Sequence, residues 1–201
     1  MKIHNIEQRS DEWFEIRKLK MTASNATAIA NAKDGLKTYI YQICSDNFIK
    51  EKQKYTNTDI ERGVELEQEA MEIYILETNS LVKEVGFVEY NDFIGCSPDG
   101  LVNDDGLIEI KCHNDTNHFK LLITNKIDSK YMWQMQMQML ICGRAWCDYV
   151  AYNPNHQQSF YKQRVMADIE KQEKLLTGFA EGENLIKKTL DIYNKINGVK
   201  K

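Results

Sequence analysis

Gly95-Cys96-Ser97-Pro98-Asp99-Gly100-Leu101, followed beyond the turn Asp104-Asp105-Gly106 by Leu107-Ile108-Glu109-Ile110-Lys111-Cys112, is the stretch that decides the fold. Asp-Asp-Gly is turn chemistry, and the run from Leu107 to Cys112 is apolar apart from Glu109 and Lys111. Side chains alternate along a strand, so Glu109 and Lys111 share one face while Ile110 turns to the opposite side, toward the core. Asp99 stands in the Ser97-Pro98-Asp99-Gly100 turn between two strands. Upstream, Leu81 to Tyr90 is rich in β-branched and aromatic residues, Asn91-Asp92 signals a turn, and Phe93 to Cys96 is a short apolar run. The reading is three sequential strands, 81–90, 93–96 and 107–112, joined as a β-meander.

The flanks read mostly as helix. Ser10 is placed as the N-cap of a short helix through Trp13, Ile16 and Arg17, and Thr22 or Ser24 opens a second through Ala28 and Ile29. Helical spacing continues from Leu36 to Ile49. Thr58 with Glu61 is a capping-box pair ahead of a long helix that carries Glu67 and that Asn79 can end. Between Tyr131 and Ile141 the alternation of glutamine and methionine has the period of a strand, but both residues are good helix formers and Gly143 sits where a C-cap belongs. As a helix, this segment puts Tyr131, Gln134 and Gln138 on one face. Trp146 to Tyr152 and Ser159 to Val165 read as two more strands, and Asp168 to about Asn197 as a C-terminal helical segment. With two prolines, no repeat and no low-complexity tract, the 201 residues fit one α/β domain of α+β-like character. A mixed central sheet is flanked by helices, with a motif-bearing core over about 8–165 and the helical segment over about 167–197.

Two carboxylates and a lysine at this spacing are the parts that phosphodiester hydrolysis needs. Asp99 and Glu109 offer oxygen ligands to a hard divalent cation, and Lys111 brings a positive charge to the nucleophile. The backbone carbonyl of Ile110 can add a neutral oxygen, Glu67 can complete the shell directly or through water, and Gln134 can orient a water or hold the lysine strand. A solvated strand would have no need of the apolar frame formed by Ile94, Leu107, Ile108 and Ile110.

Composition narrows the field. Hydrophobic residues make up 42% and charged residues 28%, which argues against disorder and fibrous architectures. The formal net charge of −4 gives no global basic field, so any affinity for nucleic acid has to reside in a local groove. No apolar run is long enough to cross a bilayer and Met1 to Trp13 is too polar for a signal peptide, so a cytoplasmic location without membrane contact is expected. The five cysteines form no CxxC pair and read as small buried apolar side chains; they cannot supply an iron-sulfur cluster. The four histidines show no zinc spacing, and Trp13, Trp133 and Trp146 read as core. Walker A, HExxH and GxSxG motifs are absent, which removes ATPase, zincin and α/β-hydrolase readings.

The run Gly95 to Leu101 with Glu109-Ile110-Lys111 resembles the lambda exonuclease and YqaJ-type viral recombinase branch of the PD-(D/E)xK nuclease superfamily. Further matches stand in the same order: Gln8-Arg9-Ser10-Asp11-Glu12-Trp13 with Arg17, Met21-Thr22-Ala23-Ser24, Arg62-Gly63 with Glu67, and Tyr131-Met132-Trp133-Gln134-Met135-Gln136. The resemblance implies a restriction-endonuclease-like core and a 5′-to-3′ exonuclease that degrades one strand of linear double-stranded DNA to mononucleotides. The 3′ overhangs it leaves would serve recombination together with a single-strand annealing protein. It implies Mg2+ as cofactor, two ions per site, with Mn2+ substituting and Ca2+ inhibitory. Asp99, Glu109 and the Ile110 carbonyl would bind metal, Lys111 would position or activate water, and Glu67 and Gln134 would support them. Arg17 and Ser24 would hold the 5′-phosphate, while Tyr131, Lys33 and Lys37 are candidate DNA contacts. A homotrimeric ring around DNA is the expected assembly. The alternatives are a structure-specific endonuclease on the same core and a non-catalytic DNA-binding recombination adaptor. Two intact acids argue against the adaptor, because unneutralised carboxylates beside phosphate weaken binding.

Overall fold

The computed structural model describes residues 1–49 and 58–198, with the side chains of residues 58–62 and 64 outside that description. The chain runs β1 (Lys2–His4), α1 (Asp11–Ile16), β2 (Met21–Thr22), a 3-10 turn (Ala23–Asn25), α2 (Ala26–Asn31), α3 (Asp34–Phe48) and α4 (Thr58–Thr78). It continues through β3 (Val82–Lys83), β4 (Phe87–Asn91), β5 (Ile94–Cys96), β6 (Gly100–Val102) and β7 (Gly106–Cys112). Helices α5 (Asp115–Thr124) and α6 (Ser129–Cys142), strands β8 (Trp146–Tyr152) and β9 (Phe160–Met166), and helix α7 (Ile169–Ile196) complete it.

Several helix ends form where the side chains direct them. Ser10 accepts from the Trp13 N–H and caps α1. Asn79 adopts φ 50° and closes α4 by donating its N–H to the Ile75 carbonyl. Gly143, at φ 63°, ends α6 in the left-handed conformation that costs glycine nothing. The expected capping box of Thr58 and Glu61 involves side chains outside the described residues, as does Arg62.

Strands β3-β6-β7-β8-β9 form a five-stranded mixed sheet in that order. Its β7 and β8 pair in parallel, Glu109 opposite Tyr149, and every other pair is antiparallel. A parallel pair needs a crossover, which α5 and α6 supply. This is the mixed sheet flanked by helices that the sequence implies. A second sheet, ordered β1-β4-β5-β2, stands beside it.

The meander is a correction. Residues 81–90 split into β3 and β4 in different sheets, β5 pairs with β4, and β7 pairs with a short strand, β6, that starts at the end of the Ser97-Pro98-Asp99-Gly100 turn and that the sequence reading did not assign. The chain changes sheets between Cys96 and Gly100, where Pro98 has no N–H to give a ladder. The Asp99 side chain there accepts the Ile110 N–H that another strand residue would take. Strand β1 and helix α5 were also unread, and α5 buries little beyond His118 and Leu121, too few residues for a periodic signal.

The alternation along β7 divides two cores. Leu107 joins Met135, Met139, Cys147, Tyr149 and Leu175 on the side of α6 and α7, whereas Ile108 and Ile110 join Ala70, Tyr74, Trp146 and Val150 beneath α4. Helix α7 presses on α2 and β2 so closely that a Cβ at Gly178 would lie 2.0 Å from the Ile29 carbonyl oxygen, and one at Gly182 would lie 2.3 Å from Met21 Sδ.

Candidate active site

Strand β7 continues past the end of β6, so its edge beyond Ile108 is open to side chains. Asp99 fills part of that edge: its Oδ2 accepts the Ile110 N–H at 2.6 Å. The N–H and C=O of one strand residue point to the same edge, so the Ile110 carbonyl faces the Asp99 side. Glu109, 1% exposed, faces α6 instead. Its Oε1 receives the Gln134 amide and the Lys111 ammonium, each at 2.5 Å, and its Oε2 receives the Gln138 amide at 2.7 Å.

Electrostatics sets the character of the group. Burial and the negative charge of Glu109 push the Asp99 carboxyl up to about 8, against the opposing pull of Lys111 and the Ile110 N–H, and Glu67 adds to the rise. Burial disfavours the Lys111 ammonium, but the charges of Glu109 and Asp99 outweigh it and hold Lys111 above its usual range. Lys111 is therefore a fixed cation at neutral pH. With one lysine for two acids, Asp99 ionises with difficulty beside Glu109, a cost that a bound cation would relieve, and the donors are all oxygen. That set fits a hard divalent cation and not a thiolate-seeking one.

Glu67 approaches from α4 and is held by Arg9, Nη2 to Oε2 3.1 Å, with Arg9 itself at φ 70°. Tyr131, at the start of α6, lies 5.4 Å from Lys111 Nζ and 4.6 Å from Lys130 Nζ, measured to its ring centre. These contacts place Asp99, Glu109, Ile110, Lys111, Gln134 and Tyr131 in one neighbourhood, with Glu67 at its margin.

Behind the Asp99 turn lies a second group. The Arg17 guanidinium stacks 3.9 Å from the Trp13 ring centre and donates to Ser97 Oγ at 3.4 Å. Trp13 Nε1 donates to the same Ser97 oxygen at 2.8 Å and to the Gly86 carbonyl at 3.0 Å. Trp13 is thus half-buried beneath an arginine, which corrects its reading as plain core. Arg17 has no carboxylate partner among the described residues, and burial lowers its pKa, with Tyr39 and Cys96 opposing. A desolvated, unpaired guanidinium is an anion site in waiting. Ser24 does not touch Arg17 directly; its Oγ lies 3.3 Å from Thr22 Oγ1, which lies 3.4 Å from the Tyr39 hydroxyl.

The family model for the YqaJ-like viral recombinase domain matches residues 12–145, which span both groups. The chain belongs to this family. An alkaline exonuclease (LHK-Exo) from Laribacter hongkongensis is 33% identical, with a TM-score of 0.79 over 93% of this chain and 100% of that one. The same comparison holds for that protein in complex with dAMP. A phage related exonuclease from Haemophilus somnus 129PT shares the fold at 15% identity, with a TM-score of 0.65 over 87% of this chain and 96% of that one. No curated protein matches the chain.

Within this YqaJ-like chain, sequence reasoning missed three residues. Gln138 was placed on the right helix face but not in the site, because glutamine and methionine alternating along α6 hide which glutamine reaches the buried acid. Ser97 carries no signal beyond its place before Pro98-Asp99, and its contact with Arg17 spans 80 residues. Lys130 lines a pocket of about 690 Å³ together with Ser24, Asn25, Thr27, Asn31 and Lys33. Lys37, by contrast, lies over Tyr41 at 5.8 Å and is not among the lining residues.

Proposed function

We propose that this YqaJ-like chain is a DNA exonuclease that uses Mg2+ to degrade one strand of linear duplex from its 5′ end, releasing mononucleotides. The observation that carries the reading is the electrostatic coupling of half-buried Asp99 to buried Glu109, whose charge raises the Asp99 carboxyl despite Lys111. Membership of a viral recombinase family and the exonuclease activity named for the Laribacter protein support it.

A divalent cation held by Asp99, Glu109, the Ile110 carbonyl and, directly or through water, Glu67 would supply charge neutralisation at the scissile phosphate. The protein's own groups do the rest. Gln134, Gln138 and Lys111 fix the Glu109 carboxylate in one orientation, so its rotamer is set before substrate arrives. Lys111, held as ammonium, orients the attacking water and offsets charge that develops on the phosphate. Arg17 and Ser97, with Ser24 nearby, take the terminal 5′-phosphate, which carries more charge than an internal phosphodiester. That fixed anchor sets the scissile bond at a constant offset and makes the product a mononucleotide.

The 3′ overhangs left behind would serve a single-strand annealing protein in recombination. A trimeric ring would keep DNA enclosed between cuts, and two ions per site, with Mn2+ active and Ca2+ inhibitory, complete the proposal. Among the described residues no helix is long and apolar enough to cross a membrane.

The test is digestion of matched linear and covalently closed circular duplexes in Mg2+, with EDTA and Ca2+ controls. Linear DNA should be consumed to mononucleotides and closed circles left intact, and EDTA or Ca2+ should stop the reaction. Nicking of circles at the same rate would favour an endonuclease on this core, and binding without cleavage would favour an adaptor.

A further inference from the structure

Among the described residues, three buried side-chain atoms have no hydrogen-bond partner: Gln138 Oε1, His118 Nδ1 and His156 Nδ1. The first belongs to the site above. The other two lie elsewhere and beside each other, the ring centres 5.3 Å apart and the planes inclined at 53°. His118 projects from α5 and is fully buried. His156 lies in the turn between β8 and β9, where its backbone N–H bonds the Asn153 carbonyl. Asn153 Nδ2 donates to Asp115 Oδ1 at 2.8 Å, which ties that turn to the start of α5. Both rings are therefore held from opposite supports.

The tautomer of His118 follows from its other nitrogen. Its Nε2 is 2.8 Å from the Gln158 carbonyl oxygen, which can accept but not donate, so Nε2 carries the proton. In the neutral ring Nδ1 then carries a bare lone pair, and the neighbouring imidazole has a second unpartnered nitrogen. The rings do not bond each other, so a buried lone pair here is satisfied by something with positive character or a donor hydrogen.

We infer that His118 and His156 bind a borderline divalent transition-metal ion, with Zn2+ as the natural probe, through their two Nδ1 atoms. Zinc–imidazole bonds of about 2 Å at a tetrahedral angle put two ring centres about 5 Å apart, the spacing seen here. The His118 Nε2–H bonded to a backbone carbonyl is the outer contact that ligating histidines make, fixing tautomer and ring orientation. No third histidine, cysteine, aspartate or glutamate joins them among the described residues, so water fills the remaining positions and affinity is modest. Imidazole donors select against Mg2+, so this site and the oxygen-lined one do not share an ion. It is independent of the nuclease reading.

The experiment is a calorimetric titration of the full-length, metal-stripped protein with ZnCl2 in saturating Mg2+, repeated on His156→Gln and His118→Gln. Histidine side-chain NMR of the wild type follows which nitrogens respond. One micromolar site should appear in the wild type, shift both Nδ1 resonances, and weaken by more than about tenfold in each variant. His156→Gln, half-buried in the turn between β8 and β9, should keep the metal-free melting temperature more nearly than His118→Gln. Zinc binding unchanged in both variants would place the ion elsewhere, and no binding at all would show that the pair holds no metal; either result overturns the proposal.

Discussion

Gln138 donates its amide to Glu109 Oε2 across 2.7 Å from a position with no solvent exposure, so a neutral side chain holds half of a buried carboxylate in place. Replacing it with leucine keeps volume but leaves Oε2 without a donor. Gln138→Leu should lower metal affinity or turnover by about 10–100-fold and cost about 1–3 kcal/mol of stability. Initial rates across a Mg2+ titration separate the two, because a defect in affinity is recovered at high metal and a defect in alignment is not. Wild-type rates at every concentration would exclude Gln138 from the site.

Asp99→Asn and Glu109→Gln should abolish cleavage, since each removes an anionic oxygen donor with little change of volume. Lys111→Ala should also abolish it while metal still binds. Gel shift in Ca2+ checks that DNA binding persists in all three. Measurable turnover by Asp99→Asn or Glu109→Gln in Mg2+ would end the metal-nuclease reading.

Arg17→Ala should slow digestion of 5′-phosphorylated ends by about 10–100-fold, the loss of a charged hydrogen bond worth about 1.5–3 kcal/mol. Ends bearing a 5′-hydroxyl should slow far less. Ser97→Ala should move rates in the same direction by a smaller factor. The readout is initial rate on linear duplexes that differ in that phosphate alone, and an unchanged preference in Arg17→Ala would remove the end-anchoring role.

Lys20, 8% exposed, meets Glu89 Oε1 at 2.9 Å, and His4 meets Oε2 at 2.9 Å. Hydrogen bonds from Lys20 and then His4 hold the Glu89 carboxyl below its usual 4.5. A depressed carboxyl stabilises the fold above its unfolded pKa and loses that contribution as pH falls through the folded value. Glu89→Gln should therefore cost about 1–2 kcal/mol near neutrality, allowing for partial solvent access. Its gap from wild type should close as pH drops below about 4.5 in urea melts. A gap independent of pH would rule out the ion pair as its source.

Asp148, 1% exposed, accepts the Tyr74 hydroxyl at 2.8 Å and a two-point contact from Arg164 at 2.8 Å on each oxygen. Tyr74 lies on α4, so this bond fastens the helix of Glu67 to the sheet of Glu109. Tyr74→Phe should cost about 1 kcal/mol, and Asp148→Ala about 3–5 kcal/mol. Chemical denaturation measures both; equal losses would show that Arg164 contributes nothing.

What could be read from the sequence were the features encoded by local periodicity. Alternation puts Glu109 and Lys111 together on β7 and Ile110 behind them, and the Gly143 cap identifies α6 despite its strand-like pattern. The features that escaped depend on contacts across long stretches of chain. Pro98 signals a turn, but nothing local says that the chain changes sheets there. Arg17 meets Ser97, and Glu67 meets Arg9, through packing that no spacing rule reveals. Gln138 looks identical to its neighbours until the helix is rotated against β7.

The contact of Gly178 and Gly182 with Ile29 and Met21 bears on the order in which the protein becomes competent. The carboxylates, Lys111 and the glutamines of α6 are all synthesised by residue 138. The segment that bears Ser24 gains its backing from α7, which follows all of them in the chain. A growing polypeptide thus carries all the residues of its charged centre before it carries the helix that backs the Ser24 segment.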